Sequence, residues 1–194
     1  REFMNFEPEA WSLRWYRQMV GISSIGDTTV VSNKWMLGTR NSFIIGTIAT
    51  LLATALGTVA ALGLSRPHMP FKPVLMAILI SPMIVPLIIT AAGMFFFYSK
   101  IGLTHTYLGL ILAHTALGTP FVVITVTATL TGFDTNLIRA SQSLGADTMK
   151  TFFKIIMPLI LPGVISGGLF AFITSFDEVV IVMFVGSVEQ ITIP

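Results

Sequence analysis

Four apolar runs, each long enough to cross a lipid bilayer, constrain this chain more than any other feature: about 42–64, 74–97, 107–130 and 159–186. A bilayer core requires roughly 20 apolar residues in helical form. In hydrocarbon every backbone N–H and C=O must be satisfied internally, so a span is a helix or part of a closed barrel. Barrel strands alternate polar and apolar residues over about 10 positions. These runs do not alternate, and they therefore predict helices. Composition supports lipid as the solvent: the 194 residues are 54% hydrophobic and 10% charged, with a mean hydropathy of +0.84. Soluble domains carry roughly 25% charged residues, and a water-soluble chain of this length buries only about two-thirds of its surface. The fold class predicted is an all-α membrane protein, a polytopic bundle of transmembrane helices.

The loops set the orientation. Arg66 and Lys72 lie in the connection after the first run, and Arg139, Lys150 and Lys154 lie in the connection two spans later, so both connections share one side. The intervening connection, Ser99–Thr106, holds only Lys100. Short loops rich in Lys and Arg stay in the cytoplasm, which places the Arg66 and Arg139 loops there. The segment before the first run, residues 1–38, mixes Trp11, Trp15, Tyr16 and Trp35 with Arg14, Arg17 and Lys34. Aromatic residues among cations favour the membrane interface, so this segment reads as interfacial and residues 39–194 as the transmembrane domain; an ordinary soluble tail is the plainer alternative. Arg1-Glu2-Phe3 precedes Met4, and Ile191-Thr192-Ile193-Pro194 stops abruptly, so the chain reads as incomplete at both ends.

Within the spans, Gly46, Thr50, Ala53, Gly57 and Ala61 recur every three or four residues, as do Gly163 and Gly167. Such stripes let helices approach closely in lipid and predict packing rather than chemistry. Pro82, Pro86 and Pro120 fall inside spans, where a missing amide bends or breaks a helix. The net charge of +2 and the scattered cations form no basic stripe with interleaved aromatics, which argues against a nucleic-acid partner. The chain contains no cysteine, no Gly-x-x-x-x-Gly-Lys-Ser/Thr phosphate loop, no nucleophile–base–acid set and no cluster of metal ligands. It reads as a non-enzyme that needs no cofactor.

The stretch 131–158 is too polar to span and too patterned for a linker. Asp134 is placed to cap a helix starting at Thr135, its carboxylate accepting amides left free in the first turn. Leu137, Ile138, Ser141 and Leu144 then share a face. Gly145 suits the left-handed residue that ends a helix, and Asp147 caps a second helix whose apolar face holds Met149, Phe152, Phe153 and Ile156. Pro158 marks the start of the next span. An amphipathic pair of this kind lies on lipid or fits a groove on a soluble partner.

The spacing of this loop resembles the coupling motif of type I ABC importer permeases, the inner membrane components of binding-protein-dependent transport: Glu-Ala-Ala, three residues, Gly, nine residues, Ile-x-Leu-Pro. Here it reads Arg139-Ala140-Ser141, Gly145, and Ile155-Ile156-Met157-Pro158. Leu144-Gly145-Ala146 and Pro158-Leu159-Ile160-Leu161-Pro162-Gly163 are also similar to that family. The usual Glu is Arg139 and the second Ala is Ser141, so an ion pair made by the family's Glu does not carry over. Trp11-Ser12-Leu13-Arg14-Trp15-Tyr16, Asn41-Ser42, Ala113-His114-Thr115, Pro120-Phe121-Val122-Val123 and Ser175-Phe176-Asp177-Glu178-Val179-Val180 resemble the spermidine/putrescine branch; sister branches carry iron, thiamine or phosphonates. The resemblance implies six spans, one before Arg1 and one after Pro194, in a bacterial inner membrane. It also implies three partners: a second permease subunit, an external substrate-binding protein, and an ATPase that hydrolyses ATP and docks on Arg139, Ala140, Ser141, Leu144, Gly145, Ala146 and Asp147.

Asp177 and Glu178 lie within the last apolar run. A charge at the centre of a span costs about 2.5–3.5 kcal/mol on insertion scales, so these acids are expected to face a cavity or a partner. Adjacent helical residues point about 100° apart, so they do not share one role. The functional expectation is that one lines the path of a cationic substrate, with Asp177 favoured; a structural hydrogen bond or ion pair is the alternative. His114 reads as a packing histidine, and His68 and His105 as plain loop residues. The runner-up function is an ion-coupled secondary transporter using the two acids, which leaves the loop spacing unexplained; a membrane scaffold without a transport role leaves it unexplained as well.

Overall fold

The computed structural model describes residues 32–66, 68–134, 136–187, 190 and 192. The stretch around Trp11, Trp15 and Tyr16, expected at the interface, lies outside the described residues. Among those described, all regular structure is helical. Helix α1 spans Ser32–Leu64, α2 Lys72–Ile84, α3 Leu87–Ile101, α4 Tyr107–Thr131, α5 Asn136–Ser143, α6 Thr148–Asp177 and α7 Val180–Val185. Three of these, α1, α4 and α6, are long and apolar enough to cross a membrane, and α2 with α3 form a fourth candidate if the bent pair counts as one span. Helix α1 starts well before Ser42, the predicted beginning of the apolar run: its backbone ladder continues through polar residues, because helical hydrogen bonding does not depend on side-chain polarity.

Helix α4 is the centre of the bundle. Leu110, Ala113, Val122, Val123 and Val126 are fully buried along it. It begins at Thr106, whose side chain accepts the Gly109 N–H at 3.0 Å. Four of its threonines keep their hydroxyls internal: Thr115, Thr119, Thr125 and Thr129 each donate to the carbonyl four residues back at 2.7–2.9 Å. Lipid offers those hydroxyls no other partner. Both small-residue stripes lie at close helix contacts, Gly46 against Phe172 and Ser175 of α6, and Gly57, Gly163 and Gly167 against α4. A Cβ built on Gly57 would stand 2.6 Å from Val122 Cβ, and one on Gly118 would stand 2.9 Å from Ala171 Cβ. At Gly167 the clash would be with Val122 Cα at 2.8 Å and, closer still, Thr125 Oγ1; at Gly163 it would be with Thr129 Oγ1.

Two predicted spans are not single helices. Residues 74–97 divide at Val85–Pro86 with a bend of 103°. Val85 is extended, at ψ 135°, because a residue before proline is pushed out of the α region. Pro82 and Pro120, by contrast, lie inside continuous helices. Residues 159–186 likewise divide: α6 ends at Asp177 and α7 starts at Val180. The second helix of the polar loop, in turn, does not stop at Pro158. It runs on into the span through a π-helical turn at Phe152–Ile156. The Met157 N–H there reaches back to the Phe152 carbonyl, so the helix has already left the ordinary i→i−4 pattern when it meets a residue with no N–H to give.

Candidate functional site

The polar loop folds from its own caps. The Asn136 N–H donates to Asp134 Oδ1 at 2.9 Å, at the start of α5; Thr135, the expected first residue of this helix, lies outside the described residues. Helix α5 ends at Ser143, and Gly145 just beyond it has a φ of +80°. The Ala146 N–H donates to the Ser141 carbonyl and the Gly145 N–H to the Gln142 carbonyl, both at 3.0 Å, which satisfies the free carbonyls of the last turn. Asp147 then caps α6, its Oδ1 accepting the Lys150 N–H at 2.7 Å. The hydroxyls of Ser141 and Thr151 share a hydrogen bond of 2.9 Å and are buried, so the two helices of the loop are tied side to side. The Asp147–Lys150 ion pair, at 4.0 Å with both groups largely exposed, adds little.

The predicted apolar faces split in two. Ile138, Phe152 and Ile156 turn inward with Leu62 and Leu130 around a cavity of about 450 Å³, where Arg66 and Gln142 also lie. The Arg66 turn and the loop are therefore at one end of the molecule. Leu144, Met149 and Phe153 turn outward and are 88%, 67% and 61% exposed. Arg139, Ala140 and Asp147 are also exposed, Ala146 is half-buried, and of the expected docking residues only Ser141 is buried. The outward face thus presents apolar side chains that no other part of the described chain covers.

The acids separate as well. Asp177 is the last residue of α6 and is exposed. Glu178 is buried and extended, and its Oε1 accepts the Ile181 N–H at 3.0 Å, capping α7 from the break itself. They are not inside an unbroken helix, as the apolar run led one to expect. Val85, Pro86, Leu117, Phe121 and Glu178 border one cavity of about 390 Å³, so the two breaks stand at the same level of the bundle. His114 is buried and shares a hydrogen bond of 2.8 Å with Ser175 Oγ, a packing role between α4 and α6. His105 was missed as a structural residue. Its N–H donates to the Val185 carbonyl at 2.8 Å, its Nδ1 meets the Gly186 carbonyl at 2.7 Å, and its own carbonyl accepts from Gln190 at 3.0 Å. No local pattern announces contacts so distant in sequence. Among the described residues no group of three His, Cys, Asp or Glu is placed to hold a metal.

Residues 53–193, which include the capped loop and both breaks, match the family model described as binding-protein-dependent transport system inner membrane component. The chain belongs to that family. Its similarity extends to curated relatives in this family of transport components. It is 30% identical over 186 residues to the spermidine/putrescine transport system permease protein PotC of Haemophilus influenzae, covering 96% of this chain and 68% of that protein. It is 28% identical over 177 residues to PotC of Escherichia coli K12, covering 91% and 63%. To the putrescine transport system permease protein PotI of the same strain it is 30% identical over 193 residues, covering 95% and 64%. The chain thus spans about two thirds of the length of these relatives. The resemblance to ABC importer permeases of the polyamine branch is borne out, and this family member is a multi-pass membrane protein.

Proposed function

We propose that this chain is a permease subunit of an ATP-driven importer of the bacterial inner membrane, that it forms part of the path for a polyamine such as spermidine or putrescine, and that it couples to a separate ATPase through residues 134–157. The observation that carries this reading is the outward face of Leu144, Met149 and Phe153 on a helix–Gly–helix unit held rigid by Asp134, Gly145, Asp147 and the Ser141–Thr151 bond. Helix α6 runs unbroken from that unit into the bundle, so a displacement of the loop is carried to Asp177 and Glu178 along one rod. The loop end faces the cytoplasm, consistent with Arg66, Arg139, Lys150 and Lys154 at that end. A second permease subunit and an external substrate-binding protein complete the assembly.

The test is co-expression of the full-length chain with its genomic neighbours, purification from the membrane, and measurement of bound subunits and of polyamine uptake in vesicles. Recovery of an ATPase and ATP-dependent uptake is the expected result; an intact membrane protein that associates with no ATPase sinks the reading. Arg139 contributes to docking by meeting an acidic patch on the ATPase. Arg139→Glu is therefore expected to weaken co-purification of the native ATPase severalfold, and stronger assembly in that variant would show that the arginine is merely tolerated.

The exposed carboxylate of Asp177 is the proposed attractor for a polyamine ammonium group, since an ionised acid within a span is retained where it meets water or a cation. Asp177→Asn should lower the maximal uptake rate by roughly fivefold without changing capture of polyamine by the external receptor. Glu178→Gln should have a smaller effect, because the amide oxygen still accepts the Ile181 N–H. Wild-type rates in both variants would make the acids structural.

A further inference from the structure

We propose that the cavity between the polar loop and the ends of α1 and α4 is a binding site for one anionic membrane phospholipid, with the headgroup phosphate on Arg66 and an acyl chain in the apolar interior. The cavity is about 450 Å³, within the range of small-molecule sites. Its walls are apolar, from Leu62, Leu130, Phe133, Ile138, Phe152 and Ile156. Its polar residues lie in Ser65–Arg66, Gln142, Thr148 and Thr151, and no carboxylate lines it. Two of those hydroxyls are already engaged, Ser65 with the Ala61 carbonyl at 2.8 Å and Thr151 with Ser141. Arg66 makes no side-chain hydrogen bond or ion pair among the described residues. A guanidinium with no carboxylate beside it is matched to a phosphate, which it holds through two parallel N–H donors.

Position selects a lipid over a soluble anion. The cavity lies where the apolar helices α1 and α4 end, the level at which hydrocarbon gives way to headgroups. Basic pockets between helix ends on the cytoplasmic side suit anionic headgroups, and the apolar walls favour an acyl chain over water. Both helices of the loop contribute to the cavity, through Ile138 and Gln142 from α5 and Thr148, Phe152 and Ile156 from α6. A bound chain would therefore brace the loop from its membrane side, opposite the exposed Leu144, Met149 and Phe153. The proposal rests on the cytoplasmic placement of this end given under Proposed function, but lipid retention is measured without reference to transport or ATPase docking.

The full-length chain, in its complex, is reconstituted in vesicles of phosphatidylglycerol and phosphatidylcholine, extracted, and examined by native mass spectrometry for retained lipid. The expected result is one retained phosphatidylglycerol, with retention lowered about tenfold or more in Arg66→Gln, which removes a charge-assisted contact. Leu62→Trp, which fills the interior and leaves the guanidinium in place, should lose the lipid as well. Lys154→Gln, which removes an exposed cation at the same end but outside the cavity, should retain it. Equal loss in Lys154→Gln would reduce the effect to general surface attraction and overturn the site. Undiminished retention in Arg66→Gln would overturn it too, and so would displacement of the lipid by inorganic phosphate. If the lipid behaves as expected while no ATPase associates, the site stands and the functional reading above falls.

Discussion

Valine at position 145 is expected to uncouple the protein while leaving it in the membrane. Gly145 has φ +80°, and a Cβ built there would meet nothing within 4 Å. The penalty of a side chain is therefore purely conformational. A left-handed backbone costs an L-residue roughly 1–2 kcal/mol, and more for a β-branched one. Valine relieves that strain by leaving the left-handed region. The Ala146→Ser141 and Gly145→Gln142 bonds then break, and α5 turns away from α6. Since ~1.4 kcal/mol is a factor of ten in an equilibrium, ATP-dependent transport should fall by roughly tenfold or more, with membrane insertion and detergent-extracted yield unchanged. Gly145→Asn, tolerated in the left-handed region, should recover most of the activity. Normal co-purification of an ATPase with the valine variant, or equal losses for valine and asparagine, would count against the loop as the docking element.

Leucine at Gly167 should have the largest effect on folding. The added Cβ would stand 2.8 Å from Val122 Cα and closer to Thr125 Oγ1. A backbone atom on the central helix cannot rotate away, so α4 and α6 must separate. Overpacking typically costs 1–3 kcal/mol, occasionally more, and a branched side chain against backbone belongs at or above the upper end, about 3 kcal/mol. Gly93→Leu is the matched comparison: it makes the same chemical change in a span, but its Cβ meets nothing within 4 Å. Thermal unfolding of the purified chain in detergent should show a midpoint many degrees lower for Gly167→Leu and nearly unchanged for Gly93→Leu. Similar midpoints would mean that the close approach of α4 and α6 does not hold the bundle together.

Much of this architecture follows from local chemistry and was legible along the chain. The spans are long because hydrocarbon is about 30 Å thick. The stripe from Gly46 to Ala61 faces its neighbours because only small side chains permit that approach. The loop could be laid out from Asp134, Gly145 and Asp147 because capping carboxylates and a left-handed glycine act within three or four residues of themselves.

What local rules could not supply depends on atoms distant in sequence. Pro82, Pro86 and Pro120 are the same residue in the same kind of run, yet only Pro86 divides a span by 103°. Sequence reports that an amide is missing; packing decides whether the helix yields. Asp177 and Glu178 are neighbours and both acids, yet one is exposed and the other buried as the cap of α7, because the break rotates them into different surroundings. The Ser141–Thr151 bond, the cavity beside Arg66 and the anchoring of His105 at Val185 and Gly186 likewise required the chain to be brought together. Hydrophobic length and short-range hydrogen bonding are properties of a segment, so the sequence alone determined the spans, their helical form and the capped loop. Where helices break, and which polar groups meet across them, was decided only by the tertiary structure, since burial and partnership are properties of neighbours in space.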